Sequence, residues 1–353
     1  MLGISIYLSE NIEEIKKYID RSGKYGVKNI FTSMHITEEN SQEFMNKIQE
    51  VSKYANERNM SLMIDISTNT LSKFNLTFSE MIEFYKNIGI KKLRIDFGFS
   101  EKEIYEISKY FKIILNASTI DEKYCNSLEK LGLNLNKITV CHNFYPRIET
   151  GISEEFLLEK NKLFKKKGFK VQAFIPGDEK LRGPMFEGLP TLEDHRNIPT
   201  FLAYIELMEN YLVDEVLIGD VSAKEETFER IFDYYKNKRI ALKLDNVNIP
   251  TEEIEKHFWK EHKNRKDFSK YVVRSTSSRV EINTEIDPFN MIERKAGSIT
   301  IDNKLYGRYN GEIQITMVNL KQDDRVNVLG KIKSEEVALL KYIKDDVKFV
   351  LKK

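Results

Sequence analysis

The sequence predicts an α/β protein: an eight-stranded (β/α)8 TIM barrel over residues 1–237, followed by a small β-rich domain over residues 238–353. Three observations predict it. The 353 residues exceed what one core usually organises, yet suit a barrel of about 250 residues plus one small unit. In the first part, apolar β-rich runs alternate with amphipathic helical patterns, as in a parallel sheet covered by helices. In the second, helical periodicity gives way to short alternating strands separated by turn residues.

Eight strand-like runs can be placed in order: Gly3 to Leu8, Asn29 to Ser33, Ser61 to Ile66, Lys92 to Phe97, Ile113 to Ala117, Lys137 to His142, Lys170 to Ile175 and Glu215 to Gly219. Between them the helical patterns include Asn11 to Tyr25, Glu38 to Arg58, Thr77 to Ile88 and Glu154 to Lys167, with Ser9 and Thr37 suited to caps. Gly26, Gly89, Gly132 and Gly168 fall where a helix should end in a left-handed residue before the next strand. The longest gap, Pro176 to Asp214, opens with a loop rich in glycine, proline and charge. The runs RIALKLD, YVVRSTSSRVEI, GSITIDN, GEIQITMV, RVNVLGKI and DVKFVLKK then predict a small barrel or sandwich, with one helix at Thr251 to His262.

Charge and composition exclude several classes of function. With 56 basic and 55 acidic residues, the chain has no overall footprint for nucleic acid or an anionic membrane. Cys125 and Cys141 are too few for a disulfide framework and are read as buried thiols. The start MLGISIYLSE lacks a basic leader, and no run approaches about 18 apolar residues, so the expectation is a cytoplasmic protein.

In a TIM barrel the chemistry sits at the C-terminal ends of the strands. Those ends carry Asp65, Asp96, Asn116 with Ser118, then His142, Asn143, Tyr145 and Arg147, and finally Asp220; the loop after the seventh strand adds Arg182, Glu187, Glu193, His195 and Arg196. Convergent carboxylates suit glycoside hydrolysis, in which one protonates the leaving oxygen and another supports positive charge or activates water. Asp65, Asp96 and Glu187 are the candidates; the alternative is that an aspartate caps a loop or pairs with Arg94. Asp220 is read as a cap for the helix that follows it. Arg147, Arg182 and Arg196 suit a phosphate or carboxylate, against the alternative that they pair with the loop's own acids. Asn116, His142, Asn143, Tyr145 and His195 are read as hydrogen-bonding the substrate, without a metal, since no spaced ligand pair such as HExxH occurs. Tyr7, Phe144 and Tyr145 are candidates for stacking on a sugar ring. In the second domain Arg274, Ser277, Arg279, Asp302, Arg308 and Tyr309 are dense enough in polar groups to suggest a lid, and Arg279 is assigned to substrate.

The segments SIYLSE, LNAST, CHNFYPRIETG, RGPMFEGLPTLEDHR, YVVRSTSSR and GSITIDNKLYGRYNGEIQI resemble the bacterial 6-phospho-N-acetylmuramidases, glycoside hydrolase family 170, from residue 3 to beyond residue 330. The resemblance implies a TIM barrel followed by a cyclophilin-like small β-barrel. It also implies an exo-acting hydrolase that removes N-acetylmuramic acid 6-phosphate from the non-reducing end of MurNAc-6-phosphate-GlcNAc in cell-wall recycling, with no cofactor. The partner expected is this disaccharide, with neither nucleic acid nor membrane; a homodimer is left open. The rival readings are a non-catalytic phosphosugar sensor and another barrel enzyme on a phosphorylated sugar, the latter disfavoured because no strand-end lysine is evident for Schiff-base chemistry.

Overall fold

The computed structural model describes residues 1–34, 41–345 and 347–353. The eight apolar runs form β1 (Leu2–Ser5), β2 (Asn29–Ser33), β3 (Ser61–Ile66), β4 (Lys92–Ile95), β5 (Lys112–Asn116), β6 (Thr139–Cys141), β7 (Lys170–Ile175) and β8 (Glu215–Ile218). They pair in parallel in chain order, and β1 pairs with β8 to close the barrel. Because side chains alternate along a strand, every second residue points inward. Phe31, Met63, Ile114, Cys141, Phe174 and Leu217 meet there as a packed layer, each no more than 2 % exposed. Below that layer, Gln172 donates to Glu215 at 2.6 Å, Asn29 also donates to Glu215, and Lys92 donates to Asn29. The interior between these layers is therefore a filled core, with a cleft above it at the C-terminal strand ends.

Helices cover the barrel. Those at Phe78–Asn87, Glu101–Ser108, Glu122–Lys130 and Glu154–Lys166 are capped by Thr77, Ser100, Asp121 and Ser153. The helix Ile12–Lys24 is capped by Asn11, whose side chain accepts from the Glu13 amide at 2.8 Å, so Ser9 is not its cap. Asn11 is the residue directly before the first helical turn, where its oxygen reaches an unsatisfied amide; Ser9 lies two residues too early. Thr37, the other expected cap, lies outside the described residues. Gly26, Gly89, Gly132 and Gly168 all take positive φ, as their placement after helices required. The gap between β7 and β8 also holds a helix, Thr200–Asn210, whose largely buried sequence shows little amphipathic contrast. Among the described residues, no helix is long and apolar enough to cross a membrane.

Two compact units divide at Glu229 and Arg230, within the helix Glu225–Asn237. The second unit contains a seven-stranded mixed sheet in the order β10-β15-β9-β14-β12-β13-β11. Its strands are β9 (Arg239–Val247), β10 (His262–Lys263), β11 (Val272–Arg274), β12 (Ser298–Asp302), β13 (Ile313–Thr316), β14 (Val326–Ile332) and β15 (Lys348–Lys352). Only β9 and β15 pair in parallel.

Asp302, at the end of β12, is 3 % exposed, and burial together with the nearby Glu312 carboxylate pushes its carboxyl up to about 7. The folded state thus holds a proton between about pH 4 and 7 that the unfolded chain releases, so stability declines as pH rises through that window. Asp302→Asn is expected to raise Tm at pH 8, with the gain fading toward pH 4. Thermal melts of both proteins at the two pH values check this; a gain unchanged by pH would point to a cause other than ionisation.

Candidate functional site

A cleft of about 910 Å³ opens at the C-terminal ends of the barrel strands. Its floor is aromatic. Phe174 packs edge-on against Phe31 and Phe144, with ring centroids 5.2 and 5.1 Å apart. Above this floor Ser33, Asp65, Arg94, Asp96 and Asn143 form a polar wall, and Glu10, Tyr145, Lys180, Arg182 and Phe186 contribute to the lining.

The wall is organised around Arg94. Register places Arg94 of β4 opposite Asp65 of β3, and both point inward because Met63 and Lys92 precede them at strand period two. The Arg94 Nη1 donates to Asp65 Oδ1 at 2.7 Å and lies 3.9 Å from Asp96 Oδ1. Its Nη2 donates to Asn143 Oδ1 at 2.5 Å. Burial opposes the guanidinium's charge, but the carboxylates of Asp65 and Asp96 outweigh it and hold Arg94 firmly protonated. One cation thus bridges two carboxylates, whose nearest oxygens are no farther apart than the sum of those two distances.

The two aspartates differ in setting. Asp65 is almost closed off, with 8 % of its side chain exposed, while Asp96 has 22 % exposed. Asn116 Nδ2 donates to Asp96 Oδ1 at 2.5 Å, and Asn116 Oδ1 accepts from the Ser118 amide, which fixes the orientation of the Asn116 side chain. Ser33 Oγ reaches Asp65 Oδ2 at 3.4 Å. At the rim the Arg182 guanidinium stacks on Tyr7 with its carbon 4.3 Å from the ring centroid, and Lys180 pairs with Glu10 at 2.5 Å. Tyr7 is buried and donates to the Gly219 carbonyl; burial holds its hydroxyl protonated far above the ordinary range.

The covering loop is clamped by Asp220. Fully buried, it accepts from the amides of Gly177, Arg182 and Leu189 at 2.8, 2.9 and 3.1 Å. Asp220 therefore holds the loop rather than the helix that follows; Asp178 takes that task, accepting from the Lys224 amide and the Thr227 hydroxyl. A carboxylate at the end of β8 lies beneath the loop, where it accepts from three backbone amides, and these hydrogen bonds decide its role.

The structure thus brings Asp65, Asp96, Asn143, Tyr145 and Arg182 into one cleft, with Asn116 directly behind Asp96. Other candidates lie elsewhere. His142 follows the inward Cys141 and so points outward, where Nε2 pairs with Asn161 Oδ1 at 2.8 Å and burial lowers its pKa to about 4. His195 is fully buried beside Glu206, 3.2 Å from its Nε2. Arg196 directs its guanidinium to Glu193 and to the carbonyls of Tyr145, Arg147, Glu187 and Gly188, which leaves it nothing for a ligand. Arg147 and Glu187 are exposed and do not line the cleft, and Arg279 belongs to the second unit. Glu10 and Lys180 line the cleft but were not singled out from the sequence; Glu10 lies in the SIYLSE motif, which is the one signal that pointed to it. Cys125 and Cys141 are buried free thiols.

Comparison with known proteins extends this picture over nearly the whole chain. Residues 2–233 match the family described as 6-phospho-N-acetylmuramidase, N-terminal, and residues 240–352 match 6-phospho-N-acetylmuramidase, C-terminal. A crystal structure of a conserved Enterococcus faecalis protein of unknown function is 34 % identical, with a TM-score of 0.89, over 100 % of this chain and 96 % of that one. An uncharacterised B. cereus protein is 29 % identical, with a TM-score of 0.80, over 100 % of this chain and 99 % of that one. No curated protein matches the chain.

Proposed function

Because the chain belongs to the 6-phospho-N-acetylmuramidase family, we propose that it hydrolyses the glycosidic bond of MurNAc-6-phosphate-GlcNAc, releasing MurNAc-6-phosphate from the non-reducing end. The observation that carries the reading is the pair Asp65 and Asp96, bridged by Arg94 over an aromatic floor. Glycoside cleavage needs a proton donor to the leaving oxygen and a negative group near the oxocarbenium-like centre. Asp96, the more exposed of the two and oriented by Asn116, is assigned to the leaving oxygen, with the proton it passes on drawn from solvent. Asp65, paired with Arg94 at 2.7 Å, faces the positive charge that develops on the sugar ring. The floor of Phe31, Phe144 and Phe174 offers apolar surface to the sugar's C–H face, and Asn143 and Tyr145 are placed to hydrogen-bond its substituents. Arg182, whose side chain stacks on Tyr7, is placed to meet an anionic substituent of the substrate.

On this reading the protein acts in the recycling of cell-wall fragments in the cytoplasm, where sugars arrive phosphorylated by their uptake system. Mass-spectrometric product analysis tests the reading with MurNAc-6-phosphate-GlcNAc and with the same disaccharide lacking phosphate. Release of GlcNAc and MurNAc-6-phosphate from the first alone is the expected result. Cleavage of both would remove the phosphate requirement, and cleavage of neither would overturn the hydrolase reading.

A further inference from the structure

The second unit carries a cleft of its own, about 540 Å³ in volume, lined by Arg265, Asp267, Arg274, Arg279, Arg308 and Tyr309. Four guanidinium groups therefore meet one lining carboxylate, with Glu312 buried beneath them. Glu312 is 1 % exposed and accepts from Arg274 at 2.6 Å through Nε and 3.1 Å through Nη2. Gln314 donates to the same carboxylate at 2.9 Å, and Arg279 Nη1 stands 3.7 Å from it. Asp267 is occupied by Arg265, at 3.0 Å from Nε. Arg308 has no acidic partner among the described residues; it donates to the Tyr309 hydroxyl at 2.9 Å.

Two carboxylates thus offset four cations. Arg279 and Arg308 both lie against the Tyr309 ring, with their guanidinium carbons 5.3 and 5.0 Å from its centroid. Holding two like charges against one ring is unfavourable unless an anion joins them, and surplus charge gathered in a concave wall concentrates positive potential there. A solvated face built only for stability would match each arginine with an acid or spread the cations apart. Here the buried Glu312 fixes Arg274 and Gln314 as a rigid back wall, while Arg279 and Arg308 keep donors free toward the opening.

We infer that this cleft is a second binding site that takes a phosphomonoester dianion, its oxygens shared by Arg279, Arg308 and the Tyr309 hydroxyl in front of Arg274. Guanidinium forks match the geometry of phosphate oxygens, and a dianion neutralises the surplus of two charges. The inference does not rest on the hydrolase reading. Free phosphate and the phosphate of a sugar share this chemistry, and the test separates them.

Isothermal titration of the full-length protein with inorganic phosphate, N-acetylglucosamine 6-phosphate and uncharged N-acetylglucosamine reads the site directly, without turnover. Phosphate binding is expected, with a component weakened at least about tenfold by the Arg279→Gln/Arg308→Gln double variant, as loss of charge-assisted hydrogen bonds predicts. The exposed Arg308→Gln alone supplies the reading if the double variant folds poorly. Tighter binding of the sugar phosphate than of phosphate identifies a phosphosugar as the ligand; equal binding identifies phosphate itself. Affinity unchanged by the variants, or no phosphate binding below about 10 mM, would overturn the site. Arg182→Gln in the barrel separates any phosphate held there, and Glu187→Gln, exposed and outside the barrel cleft, is the control expected to leave phosphate binding unchanged.

Discussion

Asp96→Asn is expected to lower kcat on MurNAc-6-phosphate-GlcNAc by about 10² to 10⁴-fold, the range typical for loss of a positioned general acid, while the folded state persists. The substitution is nearly isosteric. The remaining amide oxygen can still accept from Asn116, and the side chain is already 22 % exposed, so little packing is lost. What disappears is the proton. A substrate with a nitrophenyl leaving group needs less protonation, so the variant's deficit should shrink markedly on it if Asp96 serves the leaving oxygen. An equal deficit on both substrates would move Asp96 to the opposite role, that of base or nucleophile, and near-normal turnover on the natural disaccharide would remove it from the reaction. Glu187→Gln is the informative companion: exposed and outside the cleft lining, it is expected to keep turnover within a few-fold of the parent, as surface substitutions usually do.

How far the site could be read in advance depended on what fixed each residue. The strands were legible because apolar runs such as MIDIS and RIDFG satisfy strand periodicity locally, and the same periodicity places Asp65 and Asp96 inward. His142 could have been assigned by that rule as well: it directly follows Cys141, which points into the barrel, so it must point out. Arg94 was visible only as a possible partner of an aspartate; its place between Asp65, Asp96 and Asn143 follows from register across β3 and β4 and from the chain beyond β6. Arg196 pairs with Glu193, as the alternative reading of the loop's own acids allowed, but its contacts to backbone carbonyls and those of Asp220 to backbone amides carry no side-chain signal. Glu10 lies beyond the end of β1, past the reach of strand periodicity, and is brought to the cleft by its pairing with Lys180. In the second unit, the grouping of Arg274, Arg279, Arg308 and Tyr309 was suggested by their polar density, but the cleft they line together with Arg265 and Asp267 follows from the fold rather than from spacing.

Arg94→Met is expected to do more damage to the fold than any other single change in the cleft. Both partners are buried, with 4 and 8 % of their side chains exposed, so removing the guanidinium takes from Asp65 the cation 2.7 Å away. Breaking a buried pair from one side costs about 3 to 5 kcal/mol, a large part of the stability of an ordinary domain. Much of that cost lies in the carboxylate left behind rather than in the lost attraction. The double variant Asp65→Asn/Arg94→Met should therefore recover a substantial share of it, giving a coupling energy that the two single variants do not sum to. Denaturant titrations of the parent, both singles and the double measure the cycle. Strict additivity would show that Arg94 stabilises the barrel through Asn143 and the Cys141 carbonyl rather than through the ion pair.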